Sequence, residues 1–440
     1  MDFSSHIRAN MKKYPRLLQK LKAIKRAASP EQPFSDKLVE ANKRLKHHSQ
    51  SIAAVAREHL QISRLRQYPS ELLPSSFWTI ILARFADELP KLTTAEAALV
   101  YLTDAFTINM AAETTHGCLP VYKYTLKGEF PHFDGLIDQV ECSPYLTPDR
   151  LVSSNGKLVS SAFFAHLRSL LCCLTWIDRP STVCEIGGGY GGLAVLWMNN
   201  PHHAPDVYVL VDFPESLFFA EIFVRANDPE AKVLYVKGAD DLSPNVVEEY
   251  DYVLCPSDCA VHLHRMHFDV VVNMFSFQEM TEQAVDYWMN WLDDQNCQYL
   301  YSLNIFGLSL SQMRSVLPGC ALWSPRLSDR WIARLQNVSA GPMHAHGQPV
   351  AEMIFEKINP LSQKTKGPFK TREAFVAELY EIQREPNQER VLEFVRSWAF
   401  ADAPPREILA IFNGVLARTD ENFKREHAGI ITSLNDRLRY

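Results

Sequence analysis

The chain has 440 residues, of which 47% are hydrophobic and 22% are charged, and a formal net charge of −6. This is an ordinary globular balance over a length sufficient for two or three domains, and nine scattered cysteines exclude a small secreted disulfide framework. No run of about 18 apolar residues predicts a membrane span, and the first residues have no apolar signal core, so we expect a cytoplasmic protein.

The first 110 residues are predicted to be almost wholly helical, with breaks near Pro30, Pro69 and Pro90. Residues 1–60 carry 13 Lys/Arg against 5 Asp/Glu, whereas the rest of the chain is acidic. A basic end can bind nucleic acid or an anionic surface. Apolar residues interleave with these charges at near-helical spacing, which favours basic outer faces of packed helices. We therefore expect no nucleic-acid partner.

Residues 115–150 change character, because histidine, glycine, proline and aromatic residues replace the helical pattern. This composition predicts a long irregular or short-strand segment. Such a segment inside a compact chain is either a lid over a binding site or a packed connector between domains, and both interpretations stay open. We assign residues 1–150 to a helical N-terminal domain that ends in this segment.

A helix predicted over 158–177 leads into alternating strands and helices. The strands are expected near 182–186, 207–211, 232–236, 268–274, 297–304, 321–335 and 350–357, and the helices near 191–199, 215–226, 281–293 and 309–316. The alternation predicts an α/β fold, with a Rossmann-like sheet between helices over 151–360 and a final antiparallel pair. Residues 361–440 are predicted to return to helix.

The stretch Glu185-Ile-Gly-Gly-Gly-Tyr-Gly-Gly192 follows an apolar strand and opens a helix. A glycine-rich turn of this kind lets backbone N–H groups approach a ligand closely. Its glycines fit the dinucleotide fingerprint GxGxxG, and they also fit the E/D-x-GxGxG pattern typical of class I S-adenosylmethionine (SAM) methyltransferases. A carboxylate two residues before the first glycine is unusual in a dinucleotide fold, because burying it unpaired is costly. Glu185 therefore favours SAM over NAD.

The second strand, Val207-Tyr-Val-Leu-Val211, ends at Asp212. An acid at this position binds ribose hydroxyls in nucleotide-binding folds, so Asp212 is a candidate cofactor residue, and Phe213 follows it. Asp212 could instead cap the helix after Pro214, or do both.

The fourth predicted strand ends in Asn273 and Met274 and runs into Phe275-Ser-Phe-Gln-Glu-Met280. Ligands of open α/β sheets bind at the carboxyl ends of the strands, so Asn273, Ser276, Gln278 and Glu279 lie at the expected edge. Glu279 could accept a proton from a substrate hydroxyl, or it could be an acid favoured by the positive end of a helix.

Two histidine-bearing segments were weighed as further sites. The segment from Cys255 to His264 has zinc-ligand residue types but lacks the two separated pairs of a structural zinc site, which favours an ordinary loop. His344 and His346 precede the last predicted strand and are candidates for a catalytic base, against a solvated turn. We assign no metal.

Taken together, the glycine-rich turn, Leu210-Val-Asp-Phe-Pro-Glu215, Asn273–Met280, Tyr301-Ser-Leu-Asn304 and Glu352-Met-Ile-Phe-Glu-Lys357 resemble the sugar O-methyltransferases, over about residues 145–360. The resemblance implies SAM as cofactor and a hydroxyl of a small molecule or glycan as acceptor. It implies cofactor contacts by Glu185, Gly187, Gly188, Gly189, Gly191, Asp212, Phe213 and Asn273. It implies acceptor contacts by Tyr190, Ser276 and Gln278, and catalysis by Glu279, His344 and His346. A non-sugar acceptor, a non-catalytic partner protein and a homo-oligomer stay open.

Overall fold

The structure, a computed structural model, describes residues 32–105, 123–145, 152–154, 157–159, 161–177, 179–200, 202–243, 245–305, 327–328, 330–339 and 350–357. The predicted helices at 309–316 and 361–440, His344 and His346 lie outside these residues. Within the described residues no helix is long and apolar enough to cross a membrane.

The described N-terminal part is helical, as predicted from its sequence. Helix α1 spans Gln32–Arg64, α2 spans Ser76–Glu88 and α3 spans Ala95–Ala105. The predicted breaks fall between these helices, where short 3-10 turns form at Ser70–Leu72 and Leu89–Lys91. Ser75 caps α2, because its hydroxyl accepts a hydrogen bond from the Trp78 amide at 3.4 Å.

Residues 123–139 of the 115–150 segment are mostly helical rather than irregular or extended, which corrects the prediction there, whereas residues 140–145 are irregular as predicted. Helical turns cover 123–129, then Pro131–Phe133, then helix α4 at Asp134–Gln139. The side chain of Ile137 is buried, so α4 packs one face into the core. A small hairpin of β1, Val152–Ser154, and β2, Lys157–Val159, follows before helix α5 at Ser161–Trp176.

An eight-stranded sheet forms the centre of the molecule, in the order β5-β6-β4-β3-β7-β8-β10-β9. Its strands are β3 Thr182–Ile186, β4 Val207–Asp212, β5 Val233–Tyr235, β6 Tyr252–Pro256, β7 His267–Met274, β8 Asn296–Ile305, β9 Trp331–Ser339 and β10 Val350–Lys357. Strands β3 to β8 pair in parallel, and β10 pairs antiparallel with both β8 and β9. The α/β fold and its final antiparallel strands are confirmed.

Strand β6 was not predicted, because the segment from Cys255 to His264 was interpreted as an ordinary loop. Cys255 lies near the end of β6 and is fully buried, and Cys259 lies in the 3-10 helix Ser257–Arg265 that follows. Burial raises the pKa of both thiols above the ordinary value. Among the described residues no group of three or more His, Cys, Asp or Glu could hold a metal ion. The run Tyr252-Val-Leu-Cys was a signal for a short buried strand.

Helices cover both faces of the sheet because successive strand residues point to opposite sides. On β3, Val183 belongs to the core under α5, α6 (Gly192–Met198) and α7 (Pro214–Asn227). Cys184 and Ile186 belong to the core under the Ser257–Arg265 turn and α9 (Glu282–Asp294). A short α8, Val246–Glu249, precedes β6. Helices α1 and α3 join the first core, so the N-terminal helices pack directly on the sheet unit.

Candidate functional site

The glycine-rich turn connects β3 to α6 and needs residues without side chains. Gly187, Gly189 and Gly191 have φ of 76°, 56° and 80°, a region that L-residues with side chains rarely adopt. The amide of Gly187 donates to the Val211 carbonyl at 2.7 Å, which ties the start of the turn to the end of β4. The turn therefore lies between the carboxyl ends of two neighbouring parallel strands.

Two of these glycines lie in different surroundings. A Cβ atom on Gly187 would overlap the Oγ of Ser276, so the end of β7 approaches the bare backbone of the turn. A Cβ atom on Gly189 would meet nothing within 4 Å, so this backbone borders open space. Gly187 therefore allows two strand ends to meet, and Gly189 leaves a surface that a ligand can approach.

Asp212 ends β4 and holds the turn. Its Oδ2 accepts a hydrogen bond from the Gly189 amide at 2.7 Å, and its Oδ1 accepts one from the Phe213 amide at 2.6 Å. Burial raises the pKa of Asp212 to about 6, while the amides of Gly189 and Phe213 and the Ser216 hydroxyl oppose the rise. Each carboxylate oxygen has a second lone pair, so the same group can accept further bonds from a ligand hydroxyl.

An aromatic group closes the cleft beside Asp212. The Phe213 ring packs against Trp78 of α2, with ring centroids 5.7 Å apart, and against Tyr68 at 5.8 Å. Trp78 lies in α2 and Tyr68 in the loop after α1, so the N-terminal part of the chain covers the strand ends. The sequence does not predict this contribution, because aromatic residues in and between helices are ordinary core composition.

Hydrogen bonds inside the sheet hold the end of β7 in place. The fully buried Asn273 donates to the Ile186 carbonyl at 2.8 Å and accepts from Asn304 of β8 at 2.9 Å and from the Phe277 amide at 3.2 Å. Asn273 thus joins three strand ends and does not itself line the cleft. Gln278, a predicted acceptor contact, is also buried outside the cleft lining.

Phe275 follows β7 with φ of 53°, the one positive-φ residue other than glycine in the described chain. A bulky residue in this region is strained, and such strain concentrates at functional sites. Its amide donates to the Leu303 carbonyl at 2.7 Å, which holds the residue in place. The resulting bend turns Ser276 toward Gly187 and starts the 3-10 turn Phe277–Glu279.

Glu279 lies on the wall of the cleft opposite Asp212. Its Oε2 accepts a hydrogen bond from the Trp78 indole N–H at 3.2 Å. Loss of solvation raises the pKa of Glu279 to about 8; the Trp78 bond opposes the rise and the negative charge of Asp212 adds to it. A carboxyl group with a pKa near neutrality can both take up and release a proton at physiological pH.

These groups surround one cleft at the carboxyl ends of β3, β4 and β7, with a volume of ≈ 160 Å³. The side toward the sheet is formed by Ile186, Gly187, Gly189, Asp212, Phe213, Ser276 and Glu279, and the roof by Leu72, Leu73, Pro74, Ser75 and Trp78. The structure therefore brings together Gly187, Gly189, Asp212, Phe213, Ser276 and Glu279. The other predicted site residues occupy different positions.

Glu185 is buried beneath the turn rather than in the cleft lining. It is 3% exposed, and its Oε2 accepts a hydrogen bond from the Tyr208 hydroxyl at 2.9 Å. Gly188 lies directly above it, because a Cβ there would come within 3.3 Å of the same oxygen. Burial raises the pKa of Glu185 to about 8, so most of this carboxyl is uncharged at pH 7.

Tyr190 points to the far side of the turn. Its ring packs edge-on against Phe223 of α7, with centroids 5.0 Å apart, and lies 6.0 Å from the ring of His166. There it lines a second cavity of ≈ 840 Å³, which is also lined by Leu136 to Tyr145 of the aromatic-rich segment. The structure thus separates Tyr190 from Glu279 and Asp212.

No protein-family profile and no curated protein matches the chain. Solved structures with a similar arrangement include magnesium protoporphyrin IX methyltransferase from Synechocystis PCC 6803 with bound SAH. That chain is 10% identical, with 45% of this chain and 84% of that chain covered and a TM-score of 0.30. The N-terminal domain of EvdMO1, solved with SAH and D-fucose, is 13% identical over 44% and 82% of the two chains, with a TM-score of 0.28.

The methyltransferase domain of a bacterial Hen1 is 14% identical, with 43% of this chain and 96% of that chain covered and a TM-score of 0.30. At such identities and TM-scores, these likenesses do not decide the activity of this chain.

Proposed function

We propose that the protein is a SAM-dependent O-methyltransferase whose cofactor binds in the cleft at the ends of β3, β4 and β7. The observation that supports this most directly is the joining of Gly189, Asp212 and Glu279 around one cleft. An open glycine backbone, a carboxylate acceptor and a carboxyl group with a raised pKa are there within a single site.

The residues present fit the cofactor by their chemistry. The open backbone at Gly189 allows close approach, the free lone pairs of Asp212 can accept ribose hydroxyls, and the Phe213 ring offers a flat apolar wall for a base. Ligand sites are commonly about 300–1,000 Å³, so a cleft of ≈ 160 Å³ requires the roof at Leu72–Trp78 to move outward. We expect hydrogen exchange in residues 70–78 to change when SAH binds.

Bound SAM supplies an already activated methyl group, so the protein has to orient an acceptor hydroxyl and accept its proton. Glu279 is the proposed proton acceptor, because its carboxyl faces the cleft and its pKa of about 8 is raised by loss of solvation. The Trp78 indole N–H donates a hydrogen bond to one oxygen of this carboxyl and so orients it in the cleft wall. Asp212 and the glycine turn contribute binding and not proton transfer.

The proposed acceptor is a hydroxyl group of a sugar, in a glycan or a glycosylated metabolite. Support comes from the resemblance of residues 145–360 to the sugar O-methyltransferases. Methylation of a non-sugar small molecule is the alternative within the same chemistry. A non-catalytic protein that keeps the cleft is the alternative outside it, and it predicts cofactor binding without turnover.

Calorimetric titration of the full chain with SAM, SAH and NAD tests the cofactor first, and we expect SAM and SAH to bind and NAD not to bind. Transfer of a labelled methyl group is then measured onto neutral sugars, non-sugar phenols and alcohols, and transfer RNA. Transfer only to sugars supports the full proposal, and transfer only to phenols or alcohols supports the alternative acceptor. Binding of NAD in preference to SAM would overturn the proposed function.

A further inference from the structure

The second cavity lies between α1, α4, α5, α6 and α7, on the side of the glycine turn away from the cleft. Its volume of ≈ 840 Å³ is within the range of small-molecule sites. The aromatic residues Tyr145, Phe163, Tyr190 and Phe223 are among those that line it.

Two polar groups meet at one end of this cavity. A Cβ on Gly192 would lie 2.6 Å from the Tyr190 hydroxyl and would overlap Cε1 of His166, so both side chains come together over a bare backbone. Burial lowers the pKa of His166 to about 4 and raises the pKa of the Tyr190 phenol. Both groups are therefore uncharged at neutral pH. A neutral imidazole has one donor and one acceptor nitrogen, and a phenol can donate and accept.

Among the described residues that line the cavity, the carboxylates Glu40 and Glu141 outnumber the single guanidinium, Arg44, so this part of the wall has no surplus of positive charge. Arg44 is paired with Glu40 at 3.2 Å, and Glu141 accepts a hydrogen bond from the Leu158 amide at 3.2 Å. A phosphate or carboxylate ligand would need unpaired cations or a cradle of amides. The lining instead suits an uncharged molecule whose flat apolar face packs against the aromatic rings of the wall.

We propose that this cavity binds an uncharged small molecule that has a ring-shaped body between Phe163 and Phe223 and a hydroxyl, carbonyl or amide group at the His166–Tyr190 end. The site is separate from the cofactor cleft, because the glycine turn lies between them. It borders the same turn, since Tyr190 follows Gly189, whose amide is held by Asp212. The ligand would bind whether or not the cleft transfers methyl groups.

Saturation-transfer NMR on the full chain tests the site with two uncharged ring compounds, methyl α-glucopyranoside and 4-methylphenol. These probes share the inferred chemistry and distinguish sugar and phenol sources. Ala41 lines the cavity, and Val39 on the same helix is 64% exposed. Ala41→Trp fills the cavity and should abolish the transfer to any probe that binds, whereas Val39→Trp adds the same ring outside it and should leave transfer unchanged.

Tyr190→Phe removes only the hydroxyl group and should lower the affinity for the probe by about tenfold. Tyr124 is 81% exposed, so Tyr124→Phe is the matched control and should have no effect. The inference is overturned if no probe binds, if binding survives Ala41→Trp in a folded protein, or if SAH displaces the probe competitively. The titration with SAM decides the proposed function separately, because binding of these probes to the cavity requires no cofactor.

Discussion

On one side of the glycine turn, Asp212 and Glu279 face a cleft at the ends of the strands; on the other, Glu185 is enclosed with Tyr208 under Gly188. Burial raises the pKa of all three carboxyl groups, to about 6 for Asp212 and about 8 for the two glutamates. Asp212 accepts two backbone amides, which favour its charged form, whereas Glu185 accepts a single phenol and Glu279 accepts an indole N–H.

This difference separates three roles for one kind of side chain. Asp212 is mostly charged at neutral pH and suits an acceptor of ligand hydroxyls. Glu279 is mostly protonated at pH 7 and loses its proton as the pH rises through about 8; because it also borders the cleft, it suits proton transfer. Glu185 has a similar pKa but does not line the cleft, so it contributes to folding under the turn. The lesson is that access to the cleft, rather than the pKa alone, distinguishes a catalytic candidate from a structural acid.

The largest expected effect is at Glu279. Glu279→Gln keeps the size of the side chain but removes the base, so turnover should fall by roughly 10²–10⁴-fold with SAM affinity preserved. In the unsubstituted protein, the base is protonated below its pKa, so the rate should rise with pH and level off above about 8. Steady-state rates from pH 6 to 9 measure the loss of turnover in the variant and the pH dependence of the unsubstituted protein. The exposed Glu282→Gln is the control, and a Glu279→Gln protein with near-normal turnover would make this residue structural.

A smaller but still large loss is expected when the turn gains a side chain. Gly187→Ala places a methyl group against Ser276 at a residue whose φ is 76°. SAM affinity should therefore fall on the order of 100-fold, and the free energy of unfolding should fall by about 1–3 kcal/mol. Titration with SAM measures the affinity, and thermal unfolding measures the stability. Gly238→Ala is the matched control, because its Cβ would meet nothing within 4 Å.

The double variant Gly187→Ala with Ser276→Gly separates the overlap from the backbone strain. Removing the Ser276 side chain should recover part of the stability but not all of it, since the strain of a positive φ remains. Full recovery would show that the left-handed conformation of the turn is unimportant. If no stability is recovered, the overlap with the Ser276 side chain is not what destabilises the Gly187→Ala protein.

The cofactor side of the turn should respond moderately to Asp212→Asn. The amide oxygen can replace only one of the two carboxylate oxygens, so a bond to Gly189 or Phe213 is lost together with the charge. SAM affinity should weaken by about 1–3 kcal/mol. Asp206→Asn, on an exposed residue, should leave the affinity as it is. Equal affinities of the two variants would remove Asp212 from the cofactor site.

An effect on stability alone, with no effect on turnover, distinguishes Glu185 from the acids of the cleft. Its folded-state pKa of about 8 exceeds the unfolded value near 4.5, so between these values the folded protein binds a proton that the unfolded chain does not. Stability should therefore fall as pH rises through this window, with a contribution on the order of 1 kcal/mol per pH unit from this group. Denaturant unfolding at pH 5 to 9 should show a shallower fall for Glu185→Gln, with SAM turnover retained. An unchanged pH dependence would contradict the buried, protonated carboxyl.

Much of the fold followed from the sequence. The alternation of apolar runs and amphipathic stretches predicted β3, β4, β7, β8 and β10, because buried parallel strands need continuous apolar residues. The glycine-rich turn and the end of β4 were also predicted, since residues other than glycine rarely adopt the positive φ that occurs at every second position from 187 to 191. Strand β6 was missed because its short apolar run ends in cysteine and proline, which resembled a loop.

The composition of the two sites depended on tertiary structure. No local pattern could place Trp78 against Glu279, 201 residues apart, or predict that Glu185 lies under Gly188 while Asp212 lines the cleft. Tyr190 was predicted as an acceptor contact from its place in the motif, but its direction is set by packing against Phe223. Sequence specifies which residues sit in a turn, because backbone conformation is local. Which side of the turn each side chain faces is decided by the elements that pack around it.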